Sequence, residues 1–186
     1  MTHTSLAHRH APGCGCVAPV LDRRRALALG LGAAGALLLA GRAAHAADGK
    51  TYEAMLVSCI DPRLIDEVHG YMNGRQLLNQ YSHFAIAGAA IAVVAPAFKD
   101  WQPAFWDNLA ATIQLHSIKR VIAVNHRDCG AAKIAYGEDK VKTAEAETTL
   151  HRDVLGQFRQ EVQSRRPSLK IETGLMALDG TVEMLG

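Results

Sequence analysis

Two short segments of the 186-residue sequence gather side chains able to do chemistry: Cys59-Ile60-Asp61-Pro62-Arg63 and His126-Arg127-Asp128-Cys129-Gly130. Cys59, Asp61 and Arg63 are spaced i, i+2, i+4, so an extended chain points all three to one side. His126 and Cys129 stand three residues apart, and one helical turn presents both to the same point. Two thiolates and one imidazole suit Zn2+, and three protein ligands leave a fourth position open, as catalytic zinc sites require. Each residue also has a plainer reading. Asp61 before Pro62 makes a good N-cap with proline at the first helical position. Arg63 alone reads as a solvated side chain at a helix start, and Cys59 alone as a small buried hydrophobe. His126 alone reads as a hydrogen-bonded residue, and Gly130 as a close-packing one. Cys59 and Cys129 are also able to pair as a disulfide in an oxidising compartment. The coincidence of all five residues in two segments favours a site.

The elements around these segments explain how they would meet. The run 52–60 (YEAMLVSCI) is nearly all apolar and of strand length, which predicts a buried strand. Leu64, Ile65, Val68, Tyr71 and Met72 then recur at helical spacing until Gly74. The run 84–94 is apolar, with strand character at its start. Residues 101–118 read as a helix with Phe105, Leu109, Ile113 and Ile118 on one face. The run 121–124 (VIAV) is a short β-prone segment ending at Asn125-His126. Residues 130–136 read as a short helix and 143–166 as a long one, with a stripe of Leu150, Val154, Leu155, Phe158 and Val162. The run 171–178 reads as a last strand. Strand and helix alternate, which predicts an α/β fold with a mostly parallel sheet of about four strands flanked by helices. Ligands in such sheets sit beyond the carboxyl ends of the strands. Both cysteine segments follow predicted strands, so neighbouring strands would bring them into one crevice.

Cys-x-Asp-x-Arg at 59–63 followed by His-x-x-Cys-Gly at 126–130 resembles the signature of β-class carbonic anhydrases, and the similarity extends along most of residues 52–182. The resemblance implies Zn2+ held by Cys59, His126 and Cys129, and a catalytic dyad of Asp61 and Arg63. It implies reversible hydration of CO2 to bicarbonate by hydroxide generated on the metal, and a homo-oligomer built from dimers. An ionised Asp61 can only accept hydrogen bonds, so it would orient the nucleophile through its proton. Arg63 would hold Asp61 by a forked pair. The family's Arg-Asn-Ala-Gly segment corresponds here to Ala85-Ile86-Ala87-Gly88, which keeps Ala-Gly and loses the polar pair. Small residues at 85–92 could offer CO2 an apolar surface, although sheet packing explains most of them. His69, His83, His116 and His151 are candidates to carry the proton away.

Composition bounds the rest. The formal charge of +2 is too small and evenly mixed for a nucleic-acid binder. Residues 1–22 are polar and irregular, Arg23-Arg24-Arg25 follow, and an uncharged run from 26 to 41 leads to Ala44-His45-Ala46. That order reads as a secretory signal of twin-arginine type, cleaved near Ala46. The apolar run of 16 residues is short for a membrane span, so no stable insertion is expected after cleavage. Removing 46 of 186 residues also removes five of 20 basic residues, one of 18 acidic residues, Cys14 and Cys16. The remaining domain, 47–186, is slightly acidic and keeps only Cys59 and Cys129. A periplasmic or secreted location follows. Two rival functions stay open at this point: hydrolysis of a CO2-like molecule (carbonyl sulfide or carbon disulfide) at the same site, or a non-catalytic zinc-binding or disulfide-stabilised exported protein.

Overall fold

The structure is a computed structural model, and it describes residues 51–185. The expected leader, its cleavage near Ala46, and Cys14 and Cys16 lie outside the described residues. Strand β1 (Ala54–Ser58) is buried at every position, as its apolar composition on both faces requires of a central strand. Strand β3 (Arg120–His126) is buried everywhere except at its first residue. The two pair in parallel, from Ala54 opposite Arg120 to Ser58 opposite Val124. Their carboxyl ends therefore leave the sheet side by side, and the two cysteine segments emerge at one edge. Strand β2 (Tyr81–Ala85) runs parallel on the other side of β1, and β4 (Lys170–Met176) runs parallel to β3.

The sheet order is β2-β1-β3-β4-β5, one strand more than the sequence suggests. The addition, β5 (Val182–Met184), turns back antiparallel onto β4. It has three residues, too few for a period of two to show in the sequence. The turn before it contains Gly180 at φ +85°.

Side chains of β1 alternate between two cores, as strand pleating dictates. Ala54 and Leu56 face the helix α1 (Ile65–Gly74), packing with Leu64, Val68 and Met72. Met55 and Val57 face the opposite layer, built from α2 (Ala90–Val94), α3 (Gln102–His116), α4 (Gly130–Tyr136) and α5 (Ala144–Arg165). The expected stripe on α5 is buried at all five positions. Thr143 caps that helix, its hydroxyl accepting from the Ala146 N–H at 3.2 Å. Phe105 of α3 meets Phe158 of α5 and Phe84 of β2, with ring centroids 5.5 and 5.8 Å apart. Helix α3 stops at His116 because Ser117 turns left-handed at φ 48°, so Ile118 is buried from outside the helix. The run 84–94 divides: its start completes β2, and its end forms α2. Ala89, Ala90, Ile91 and Ala92 are wholly buried there and so are packing, whereas Ala85 is exposed and lines the cavity that touches Cys59. Among the described residues no helix is long and apolar enough to cross a membrane.

Candidate metal centre

Beyond the end of β1, Asp61 starts a 3-10 turn, Pro62–Leu64, with proline in its first position. The Asp61 carboxylate accepts from the Arg63 backbone N–H at 3.0 Å. It also accepts from the Arg63 guanidinium, through Nε at 3.0 Å and Nη2 at 2.7 Å. The Asp61 side chain thus makes both the capping bond and the forked contact with Arg63 that were expected of it. Asp61 is 15% exposed at its side chain and Arg63 45%, so the carboxylate faces inward and the guanidinium lies at the rim.

His126 closes β3 and is 2% exposed. Its Nδ1 lies 2.8 Å from the Arg127 carbonyl. A carbonyl only accepts, so the ring proton sits on Nδ1 and Nε2 presents a lone pair. That Nε2 is buried and has no hydrogen-bond partner. Cys129 is the N-cap of α4 and is buried, whereas Cys59 is half-buried; both are free thiols. The ligand atoms of Cys59, His126 and Cys129 all lie within 4.8 Å of one another. The Gly88 N–H donates to Cys59 Sγ at 3.2 Å. Gly88 holds φ +83°, and a Cβ there would stand 2.9 Å from the Ala131 Cβ. The glycine therefore permits both the turn and the close approach of α4.

The ionisations of Cys59, Cys129 and His126 are coupled. Hydrogen bonding from the Cys129 thiol, aided by His126 and the Gly88 N–H, holds the Cys59 pKa down to about 4. The Cys59 thiolate and burial push the Cys129 thiol up, because a second negative charge would lie beside the first. Burial opposes the His126 imidazolium, but the Cys59 thiolate, the Arg127 carbonyl and the Asp61 carboxylate together raise the imidazole's pKa. Two sulfurs, of which one ionises far more readily than the other, beside a buried imidazole nitrogen without a hydrogen-bond partner form a donor set suited to a dication, which would favour both thiolates and accept the lone pair. The residues present therefore fit zinc. The Arg127 carbonyl and the Gly88 N–H orient two of those ligands from behind.

The site residues read from the sequence all come together. Asp61 Oδ2 lies 3.9 Å from His126 Nε2, which places the dyad against the ligand cluster. Hydrogen bonds to Arg63 hold the Asp61 pKa at about 2, so it is a carboxylate throughout the neutral range. The four candidate proton carriers differ. His151 is fully buried, bonded to Asn125 at 3.0 Å, and its pKa is pushed down to about 4 by burial. His116 is tied to Ser82 at 2.6 Å. His69 and His83 line a cavity of about 370 Å3 that also touches Cys59. His83 Nε2 there lies 2.7 Å from Ser58 Oγ.

Two further residues hold the site together, and the sequence reading gave them no role. Asp128 accepts from Arg63 Nη1 at 2.9 Å and from Lys133 Nζ at 2.7 Å. Glu147, buried in the first turn of α5, accepts from the Asp128 N–H at 2.6 Å and from Arg127 at 3.3 Å. Asp128 sits inside the second cysteine segment, where its readiness for left-handed backbone was the available signal. Glu147 reads as an ordinary acidic residue at a helix start, and no local pattern marks it.

No family model matches the chain. Two curated proteins are similar to it over 131 residues, each 35% identical and each matching 70% of this chain. One is an uncharacterized protein of Rickettsia conorii, of which 70% is covered, and the other an uncharacterized protein of Rickettsia bellii, of which 80% is covered. Among solved structures, a carbonic anhydrase from Glaciozyma antarctica superposes with a TM-score of 0.49 at 14% identity, covering 77% of this chain and 88% of that one. Tetrameric β-carbonic anhydrases from Sordaria macrospora give 0.47 at 11% identity, covering 74% and 82%. The β-carbonic anhydrase CafA of Aspergillus fumigatus gives 0.48 at 14% identity, covering 74% and 76%. These matches are likenesses of fold, and residue roles are read from this chain's own site.

Proposed function

We propose that this chain, which belongs to the same family as the two rickettsial proteins, carries out zinc-dependent reversible hydration of CO2 to bicarbonate. The observation that carries the reading is the convergence of Cys59, His126 and Cys129 around a buried, unpartnered Nε2, with an ionised Asp61 against it. Zinc held by these three residues would supply a Lewis acid able to make water nucleophilic near neutral pH. Asp61, as a carboxylate, accepts hydrogen bonds and donates none, so it holds the nucleophile by its proton and leaves a lone pair facing the substrate carbon. Arg63 keeps that carboxylate ionised and fixes its plane through a two-point contact. The Arg127 carbonyl keeps the His126 lone pair aimed inward, and the Gly88 N–H stabilises the Cys59 thiolate.

Arg23-Arg24-Arg25, the uncharged run 26–41 and Ala44-His45-Ala46 support export, so the working protein would be residues 47–186 in the periplasm or outside the cell. It would act there on a small molecule, without nucleic acid or a stable membrane anchor. Ile60 and Ile65 are 60% and 66% exposed beside the site, apolar groups that a second copy would cover, in keeping with a homo-oligomer.

Stopped-flow assay of the purified, zinc-loaded protein on CO2, alongside sulfide release from carbonyl sulfide and carbon disulfide, tests the reading. Accelerated CO2 hydration that disappears in His126→Ala is the expected result. Sulfide release without CO2 hydration would move the site to the sulfur substrates. Inactivity on all three with a full complement of zinc would overturn the enzymatic reading.

A further inference from the structure

Arg63 is shared between two carboxylates on two different loops. Asp61 takes one edge of the guanidinium through Nε and Nη2, at 3.0 and 2.7 Å. Asp128 takes the other, its Oδ2 accepting from Nη1 at 2.9 Å and its main-chain carbonyl from Nη2 at 3.2 Å. Asp128 is itself immobilised. Its N–H donates to Glu147 Oε1 at 2.6 Å, and Glu147 is only 7% exposed. Its second carboxylate oxygen accepts from Lys133 at 2.7 Å, which balances the charge of two acids around one guanidinium. The backbone of Asp128 is left-handed at φ 54°, a conformation that Asp, Asn and Gly adopt most readily. That turn lets the carbonyl and the carboxylate of one residue face Arg63 together.

An arginine bonded only to Asp61 would move with it as one unit, because the guanidinium lies at the solvent rim, 45% exposed. Asp128 removes that freedom. It also lies between His126 and Cys129, so the contact ties the dyad's loop to the loop that carries two of the three candidate ligands. Asp61 Oδ2 lies 3.9 Å from His126 Nε2, and small rotations of the dyad change that spacing directly.

We propose that Asp128 is a positioning residue: by gripping the far edge of Arg63 it sets where Asp61 stands relative to Cys59, His126 and Cys129. The inference rests on the reading of these residues as the site of CO2 hydration, but its effect on Arg63 is measurable without that reaction. Asp128→Gly preserves the left-handed turn and the main-chain contact and removes the carboxylate. Asp128→Asn preserves the turn and one acceptor oxygen. In zinc-loaded protein, Asp128→Gly is expected to lower kcat by on the order of tenfold to a hundredfold, with KM and zinc content unchanged, and Asp128→Asn by less. In an Arg63→Ala background the same Asp128→Gly change is expected to cost nothing further, as residues acting through one another require. Nuclear magnetic resonance of the Arg63 Nε–H supplies the second readout: exchange with water should quicken severalfold in Asp128→Gly.

An equal loss in both backgrounds, or an Arg63 Nε–H that Asp128→Gly leaves unchanged, would overturn the positioning role. A native protein inactive on CO2 but showing the expected exchange would remove the reaction and keep the coupling between the two residues.

Discussion

At the scale of single residues, the candidate site holds one ionisation that the protein has fixed, at Asp61, and a pair of cysteines whose ionisations oppose each other. Asp61 has its pKa lowered from 3.8 to about 2, chiefly by the Arg63 side chain. A depressed folded value means that the carboxylate's contribution to stability is complete above the unfolded value and is lost as pH falls through the folded one. Asp61 is therefore ionised across the whole neutral range, and an inflection of rate between pH 6 and 9 belongs to another group. The expected outcome is that Asp61→Asn lowers kcat by roughly 10²- to 10⁴-fold across that range while an inflection persists. Disappearance of the inflection in Asp61→Asn, measured by stopped flow, would assign it to the carboxylate instead. The residues themselves were legible in the sequence because Cys59, Asp61, Arg63, His126 and Cys129 fall in two short segments. Asp128 lies in the same segment, yet its role depends on Arg63, 65 positions away in the chain, and no spacing rule shows that contact.

At the scale of elements, β1 and β3 place the two segments and α2 and α4 close behind them. Gly88 is the point where these meet: it turns at φ +83°, donates to Cys59 and lets Ala131 approach. Gly88→Ala would put a Cβ 2.9 Å from that of Ala131 and 3.1 Å from that of Ile91. The expected cost is about 1–3 kcal/mol in urea unfolding, from overpacking and left-handed strain together, with weaker zinc retention. An unchanged unfolding midpoint would mean that α4 yields freely there. The long helix α5 was readable because its stripe is strictly periodic and capped, and the burial of Phe158 and its neighbours matches. Strand β5 was not, because three residues leave no period and its place is decided by pairing with β4. The alanine-rich run from 89 to 92 was ambiguous for a similar reason: small apolar side chains suit a surface for CO2 and a packed core equally, and only burial distinguishes them.

At the scale of the whole molecule, composition takes its meaning from where the working chain starts. Cleavage of the proposed leader near Ala46 would leave an acidic protein with two cysteines, both in the candidate site. Mass spectrometry of the exported protein is expected to find an N-terminus near Ala47, and Arg24→Lys with Arg25→Lys to hold the precursor in the cytoplasm. A full-length chain retained in the membrane would contradict this. Export of a folded, metal-loaded chain would also protect Cys59 and Cys129 from pairing with each other, since both sulfurs lie within 4.8 Å of the same imidazole nitrogen. Zinc K-edge X-ray absorption on protein purified from its native compartment, with the metal counted, tests the central claim most directly. One zinc per chain is expected, with two sulfurs at about 2.3 Å and one imidazole nitrogen at about 2.0–2.1 Å, the sulfurs lost one at a time in Cys59→Ser and Cys129→Ser. A metal-free protein with a Cys59–Cys129 disulfide, or a zinc shell unchanged by either substitution, would contradict it.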